Sequence, residues 1–210
     1  MSAHIYFDLD GTLTDPYEGI TKCILYAIDK LGFERPSDDW LYKSIGPPLW
    51  DTFPEVVGDD LTIRAVELYR ERFNDVGWLE NKPYDGILDA LTAVHDTGAR
   101  LFVATAKPQK AAARIIEHFG MGQFFTEVYG SEPDGTRSRK GDLLEWAIGR
   151  NEPVEHRVMI GDRKHDLIGA VANGMHPVGV SYGYGSVAEL ERAGARSIAA
   201  SPAEIPALLL

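Results

Sequence analysis

Residues Ile5-Tyr6-Phe7-Asp8-Leu9-Asp10-Gly11 decide how the rest of this chain is organised. They begin as an apolar run with the length of a short buried strand. The run ends in two carboxylates separated by one residue and followed by a glycine. In an open parallel sheet, ligands bind beyond the carboxyl ends of the strands. We therefore expect Asp8 and Asp10 to lie where chemistry takes place, although Asp and Gly are also common turn residues.

Composition narrows the classes of protein to which the chain can belong. It has 210 residues, 44% of them hydrophobic, which suits one domain or one domain with an inserted subdomain. The formal net charge is −11 and there is no long basic run, so we expect no nucleic-acid partner. Cys23 is the only cysteine, which excludes an internal disulfide. No apolar segment suits a membrane span or a signal peptide, so we expect a cytoplasmic protein without a membrane partner.

Strands and helices alternate along most of the sequence. After the first strand, apolar runs predict strands at residues 101–105, 128–131, 157–160, 176–180 and 197–199. Segments with helical periodicity separate these runs, as in repeated strand–helix–strand units. This order predicts an α/β fold with a Rossmann-like, doubly wound parallel sheet and helices on both of its faces.

Residues 15–78 interrupt the alternation, because they show helical periodicity and no convincing strand. We therefore expect an α/β core domain formed by residues 1–14 and 79–210, and a small helical domain formed by residues 15–78. Asp15 and Pro16 predict the start of the first inserted helix, with Asp15 as its N-cap. Gly46 belongs to a loop that two following prolines make stiff and non-helical.

Polar residues follow three of the predicted strands, and the carboxyl ends of parallel strands share one edge of a sheet. These residues are Asp8 and Asp10, then Thr105 and Lys107, and finally Asp162 and Asp166. Phosphoryl transfer requires a nucleophile, a proton shuttle, a divalent metal and groups that bind the phosphate oxygens. The polar strand ends together offer candidates for each of these requirements.

The four aspartates suit the hydrolysis of a phosphate ester. Asp8 can attack phosphorus to form an aspartyl-phosphate, and Asp10 can protonate the leaving oxygen and then activate water. Asp8, Asp162 and Asp166 also offer the hard oxygen ligands that Mg²⁺ binds. Asp166 can in addition cap the helix that follows it, which is compatible with a metal role.

The motif formed by residues 7–13 resembles the first motif of the haloacid dehalogenase-like hydrolase superfamily, and the resemblance extends over nearly the whole chain. The phosphoglycolate phosphatase-like branch, which includes proteins named 5′-nucleotidases, is the most similar. The resemblance assigns Asp8 and Asp10 the same roles and adds the backbone carbonyl of Asp10 as a metal ligand. It also implies that one of Asp162 and Asp166 binds metal through water, and we favour Asp162 as the direct ligand. It implies a mobile cap for residues 15–78, with Gly46 in a specificity loop.

The resemblance also points to groups that bind phosphate. It assigns the hydroxyl of Thr105 this role, and the neighbouring amide of Ala106 is placed to contribute. It implies a lysine that offsets the charge of nucleophile and phosphate, and Lys140 fits by its order in the chain. Relatives often have Lys-Pro-x-Pro at that point, whereas glycine and aspartate follow Lys140 here. This departure leaves three alternative cations open, namely Lys107, Arg137 and Arg139.

Together these observations predict a Mg²⁺-dependent phosphatase that hydrolyses a small soluble phosphomonoester. Phosphoglycolate and nucleoside monophosphates are the expected substrates, and a monomer or weak dimer is the expected assembly. One alternative is a phosphotransferase of the sugar-phosphate mutase type, which returns the phosphoryl group to its substrate. A second is a non-enzymatic phospho-aspartate switch, against which Asp10 and the helical insertion argue because a switch needs neither.

Overall fold

The computed structural model describes residues 3–209, which divide into two compact units. The first unit contains the chain up to Asp15 and from Pro83 onward, and the second contains Pro16–Lys82. The borders expected after residues 14 and 78 stay a prediction. Residues 1, 2 and 210 of the expected core domain lie outside the described residues.

The first unit is built on a parallel sheet. In chain order the strands are β1 (Ala3–Phe7), β2 (Thr14–Asp15), β3 (Lys82–Pro83), β4 (Arg100–Pro108), β5 (Phe125–Ser131), β6 (His156–Gly161), β7 (His176–Val180) and β8 (Ser197–Ala199). Six of them form one sheet in the spatial order β5-β4-β1-β6-β7-β8, with every neighbouring pair parallel. The predicted α/β class with a parallel sheet is confirmed. The strand order reverses at β1, and ligands bind at such a switch point in open α/β sheets.

Helices connect the strands and form the second unit. The second unit contains α1 (Tyr17–Lys30), α2 (Asp38–Lys43), α3 (Leu49–Thr52), α4 (Pro54–Val57), α5 (Asp59–Asp75) and the 3₁₀ turn Gly77–Leu79. The first unit contains α6 (Ile87–His95), α7 (Gln109–His118), α8 (Lys140–Gly149), α9 (Lys164–Ala172), α10 (Val187–Arg192) and α11 (Ile205–Leu209), with 3₁₀ turns at Gly122–Phe124 and Pro202–Glu204. Within residues 3–209, no helix is both long enough and apolar enough to cross a membrane.

The central strand β1 is buried on both faces, which is why its sequence is apolar without alternation. Tyr6 stacks on Phe102 of β4 with 4.8 Å between ring centroids, and Tyr129 of β5 stacks on the same ring. Leu143 and Leu144 of α8 are fully buried against this cluster. The packing fixes β1 between its neighbours, so the residues that follow it are held in register with the ends of β4 and β6.

Three local predictions are corrected by the structure. Asp15 lies in β2 and is not the N-cap of α1, because Pro16 takes that position without any side-chain cap. Helix α9 begins at Lys164, so Asp166 lies in its first turn and does not precede the helix as expected; the Asp166 carboxylate accepts a hydrogen bond from the Arg163 N–H and so caps the helix. Strand β4 extends three residues beyond its predicted end at residue 105, through an irregular pairing with β5.

Candidate active site

Three aspartates meet where β1 and β6 end side by side. Asp8 directly follows β1, and its N–H donates to the carbonyl of Ile160 in β6 at 2.9 Å. Asp162 directly follows β6, and Asp166 lies in the first turn of α9. One carboxylate oxygen from each of the three lies within 4.8 Å of the others, and all three residues are buried.

Lys140, the first residue of α8, is the cation that lies among these carboxylates. Its Nζ is 2.9 Å from Asp8 Oδ1 and 2.7 Å from Asp166 Oδ1, and it donates to the carbonyl of Ala104 at 2.7 Å. Burial lowers the pKa of Lys140, but the two carboxylates outweigh it, so the pKa lies above its usual range. Lys140 therefore places a positive charge beside the carboxylate of Asp8.

The structure places the three alternative cations differently. The Arg137 guanidinium pairs with Glu132 and lies over the ring of Trp146, 4.2 Å from its centroid. Arg139 is exposed at the N-cap of α8. The side chain of Lys107 is 6% exposed, but its Nζ contacts Asp10 Oδ2 at 2.7 Å. The lysine that contacts Asp8 is thus the one the sequence order favours, and a second lysine holds Asp10.

Asp10 has the surroundings that a proton shuttle requires. Its side chain is 13% exposed, and its Oδ1 has no hydrogen-bond partner within residues 3–209. Burial raises the pKa of Asp10, and the Lys107 ammonium opposes this rise. The net rise in the pKa favours the protonated form, which is the form that a general acid needs.

The predicted phosphate-binding residues lie on β4, next to β1. Phe7 pairs with Val103, so Thr105 lies two residues beyond the level of Phe7 towards the same edge. The Thr105 hydroxyl accepts a hydrogen bond from the Lys107 N–H at 3.2 Å, while the Ala106 carbonyl accepts one from the Ser131 hydroxyl at 2.8 Å. The roles of Thr105 and Ala106 in binding phosphate stay predictions.

Gly46 belongs to the second unit. Its φ is +103°, and it is only partly buried, between α2 and α3. A side chain at this position would strain the backbone wherever the loop lies, because L-residues rarely adopt such a φ. Its expected part in substrate choice stays a prediction.

Asp162 is held by residues 181–185, a glycine- and tyrosine-rich segment for which the sequence predicts no role. The N–H of Tyr184 donates to Asp162 Oδ2 at 2.8 Å. Asp162 Oδ1 is buried and has no hydrogen-bond partner in the described part of the chain. Burial, followed by the charges of Asp166 and Asp8, raises the pKa of Asp162 well above its usual range. The glycines of this segment were the available signal, since glycine often marks a close approach between backbone segments.

This chemistry fits a divalent cation. Three buried carboxylates face one another, and within residues 3–209 Lys140 forms the only salt bridges to them, with two of the three, which leaves an excess of negative charge. Isolated buried charges are costly unless paired or bound to metal, and Asp162 Oδ1 is such an unpaired acceptor. Carboxylate oxygens are ligands for hard cations such as Mg²⁺ and Ca²⁺.

Comparison with known proteins gives the class. The sequence model of the haloacid dehalogenase-like hydrolases matches residues 5–180, more than half of the chain. The chain therefore belongs to the haloacid dehalogenase-like hydrolase family, which confirms the predicted resemblance. Within that family it is an enzyme of the phosphatase type.

Individual relatives agree with this assignment in part. The chain is 46% identical over 190 residues to a 5′-nucleotidase of Pseudomonas aeruginosa, covering 89% of this chain and 86% of that protein. It is 38% identical over 182 residues to the tyrosine-protein kinase PtkA of Mycobacterium tuberculosis, covering 86% of this chain but only 62% of that protein. A crystal structure described as a predicted phosphatase from Clostridium acetobutylicum has a TM-score of 0.94 and 39% identity, covering 100% of this chain and 98% of that one. Phosphoglycolate phosphatases match at lower identity, 26% for the Vibrio cholerae protein.

Proposed function

We propose that this phosphatase hydrolyses a small phosphomonoester, with nucleoside 5′-monophosphates as the first candidates and phosphoglycolate as the second, through an aspartyl-phosphate on Asp8. The observation that carries the proposal is that the Asp8 carboxylate lies beside both the Lys140 ammonium and the carboxylates of Asp162 and Asp166. The relative named 5′-nucleotidase, at 46% identity, supports the order of the two substrate classes. A small metabolite, and not a nucleic acid or a membrane, is accordingly the proposed partner.

Mg²⁺ is the proposed cofactor. Asp8, Asp162 and Asp166 would hold it with carboxylate oxygens, and the family resemblance adds the backbone carbonyl of Asp10. When bound, Mg²⁺ supplies positive charge that offsets the charges of the phosphate and of the carboxylates. Every remaining step of the proposed mechanism belongs to side chains of this chain.

Asp8 and Asp10 divide the chemistry. A carboxylate oxygen of Asp8 attacks phosphorus, the ester P–O bond breaks, and protonated Asp10 gives its proton to the departing oxygen. Ionised Asp10 then takes a proton from water, the water oxygen attacks phosphorus, and the bond to Asp8 breaks to release phosphate. Lys140 favours the ionised form of Asp8, because its ammonium lies 2.9 Å from Asp8 Oδ1 and opposes the rise in pKa that burial causes.

A substrate panel with a matched variant tests this proposal. Purified protein with Mg²⁺ is given nucleoside 5′-monophosphates, phosphoglycolate and sugar phosphates, and inorganic phosphate is measured. We expect release from at least one nucleotide and none above background with Asp8→Asn, because the amide is nearly isosteric but a poor nucleophile. Equal release by wild type and a folded Asp8→Asn protein would refute the role of Asp8.

Phosphoryl transfer to an acceptor other than water is the second candidate, and the relative named tyrosine-protein kinase favours it. The chemistry up to the aspartyl-phosphate is the same, so only the acceptor differs. Substrate labelled with ³²P distinguishes the two. Hydrolysis gives free labelled phosphate in step with the released alcohol, whereas transfer leaves the label on a phosphorylated product.

The second unit is proposed as the element that selects the substrate. The residues of the first unit that would bind and cleave the phosphate group can act on any phosphate ester. Discrimination between substrates therefore requires another surface. The positive φ of Gly46 makes substitution there a poor test, because strain and lost contacts would be confounded. Pro47→Trp changes the same loop at the next residue. We expect it to lower kcat/KM for the preferred nucleotide far more than for acetyl phosphate, and equal losses would contradict the proposal.

A further inference from the structure

We propose that the segment Ser181–Gly185, which we call the Gly-Tyr-Gly loop, is a positioning device for the Asp162 carboxylate and that Tyr184 is its central residue. The inference deepens the proposed function, because it rests on Asp162 being a metal ligand. It concerns residues that follow β7 and belong to none of the motifs from which the family was recognised.

The loop uses one oxygen of Asp162 and leaves the other for a ligand. The N–H of Tyr184 donates to Oδ2 at 2.8 Å, whereas Oδ1 is buried and accepts no hydrogen bond within residues 3–209. One bonded and one unbonded oxygen define the rotation of the carboxylate about its Cβ–Cγ bond. Groups that orient a metal ligand from behind in this way tune the affinity of the site.

Glycines on two sides of the carboxylate make this close approach possible. A Cβ on Gly183 would lie 2.5 Å from Asp162 Cβ and 2.2 Å from the carbonyl oxygen of Gly11. A Cβ on Gly11 would lie 2.2 Å from Asp162 Oδ2, and one on Gly185 would lie 2.0 Å from the Asp162 carbonyl oxygen. Only residues without a Cβ allow the loop and the Gly11 turn to close on Asp162 from both sides.

The loop is in turn held by the hydroxyls of its two tyrosines. The Tyr184 hydroxyl donates to Asp15 Oδ1, and the Tyr182 hydroxyl donates to the carbonyl of Thr12 at 2.9 Å. The ring of Tyr84 packs edge-on against Tyr182, with 4.8 Å between centroids. Burial and the Asp15 carboxylate raise the pKa of Tyr184, so its hydroxyl keeps the proton that it donates.

Tyr184 therefore joins two groups that the sequence places far apart. Its amide fixes Asp162, and its hydroxyl is anchored on Asp15, the last residue of the first unit before the chain leaves it. Asp15 was expected to cap α1, but in the structure its carboxylate accepts a hydrogen bond from the Tyr184 hydroxyl. The loop loses this anchor when either member of the pair is changed, although the amide of residue 184 remains.

Two variants with matched controls test the inference by the affinity of free protein for Mg²⁺, measured by isothermal titration calorimetry. We expect Gly183→Ala to raise the Mg²⁺ dissociation constant about 10–100-fold and Tyr184→Phe to raise it about tenfold, as for other groups that support a metal ligand. Gly149→Ala is the control for the glycine, because no atom lies within 4 Å of the added Cβ. Tyr26→Phe is the control for the tyrosine, because Tyr26 donates to a carboxylate, Glu71 Oε1, at 2.6 Å in the second unit. Both controls should bind Mg²⁺ as the wild type does.

The anchoring pair has a conservative rescue. Asp15→Ala should reproduce the loss of Tyr184→Phe, and the double variant should lose little more, because both remove the same interaction. Asp15→Asn keeps an acceptor oxygen and should stay close to wild type. Activity should then need more Mg²⁺ in the Ala and Phe variants, with kcat at saturating Mg²⁺ changed much less than the activation constant.

The results that overturn the inference are separate from those that overturn the proposed function. Folded Tyr184→Phe with an unchanged Mg²⁺ dissociation constant refutes the positioning role, even if its thermal stability falls. If Gly183→Ala fails to fold by circular dichroism, Tyr184→Phe and Asp15→Ala decide the matter. A wild type that binds Mg²⁺ but releases no phosphate refutes the proposed function and leaves the binding tests valid. A wild type that binds no Mg²⁺ refutes both.

Discussion

Removal of the Lys140 ammonium is the perturbation whose effect the structure predicts best. Lys140→Met keeps most of the side-chain volume but leaves the buried carboxylates of Asp8 and Asp166 without the cation that lies 2.9 and 2.7 Å from them. Breaking a buried ion pair by removing one partner costs about 3–5 kcal/mol. For a protein of this size, each kcal/mol lowers Tm by about 2–4 °C. We therefore expect a decrease in Tm of roughly 6–20 °C in metal-free buffer at pH 8.

The loss should depend on pH in a defined direction. Burial already raises the pKa of Asp8 in the folded protein, and Lys140 opposes that rise. Without Lys140 the folded-state pKa rises further above the ordinary value of 3.8, so the folded variant binds protons that the unfolded chain releases. Stability of the variant then falls as pH rises from about 4 through that folded-state pKa. The deficit relative to wild type should be small at pH 5 and larger at pH 8.

Urea unfolding at both pH values, with EDTA present, measures this deficit. Lys110→Met is the matched control, because Lys110 is exposed on α7 and forms no salt bridge within the described residues 3–209. We expect the control to stay within about 0.5 kcal/mol of wild type. The reasoning is refuted if Lys140→Met is as stable as the control at pH 8, or if its deficit is the same at both pH values.

Three further predictions concern the site and the core. Asp10→Asn should slow hydrolysis of alkyl phosphates much more than that of aryl phosphates, because only a poor leaving group needs a proton; equal losses in steady-state rates would contradict the acid role. EDTA should abolish phosphate release and Mg²⁺ should restore it, with Asp162→Ala needing more Mg²⁺; full activity in metal-free buffer would exclude the metal role. Burial, then Arg100 and Arg157, lowers the pKa of His4 below 6.5. The unfolded chain therefore binds more protons than the folded protein, and stability falls as pH drops below about 6.5. Between pH 7.5 and pH 5, Tm should decrease less steeply with falling pH for His4→Phe than for wild type, and equal slopes would argue against this cause.

The fold could be predicted from the sequence because the pattern of each strand and helix lies within its own residues. Each strand is a short apolar run, and the helices between them have their own periodicity, so the parallel sheet follows from their alternation. The end of a strand is less local. Strand β4 continues to Pro108 because Pro108 pairs with Ser131 on β5, a contact that no pattern within residues 101–108 reveals. The start of α9 could not be predicted for a different reason, since Asp166 was expected to cap a helix that follows it and instead lies in the first turn of that helix.

The acidic cluster could be predicted because its members follow strands that meet at one edge. Asp8 and Asp162 end neighbouring strands β1 and β6, so topology alone brings them together. The cation was harder to predict, because two arginines, Arg137 and Arg139, lie between β5 and Lys140, the first residue of α8. Arg137 is held by Glu132 and Trp146, whereas Lys140 begins α8 and points to Asp8. Such side-chain contacts determine which of several basic residues close together in the sequence reaches Asp8, and hydrophobic periodicity does not predict them.

Tyr184 marks the limit of sequence reasoning in this chain. Asp162 and Asp15, to which Tyr184 donates hydrogen bonds, are 22 and 169 residues away in the sequence, and neither interaction produces a spacing that could be recognised. Gly183 carries no turn signal either, because its φ is not positive, and glycine is required there by the proximity of Asp162 and Gly11. The requirement for such a glycine is explained by the atoms that a Cβ at its position would contact. Motifs therefore identify the charged groups of the candidate site, while the residues that position those groups can be identified only when the distances between distant segments are known.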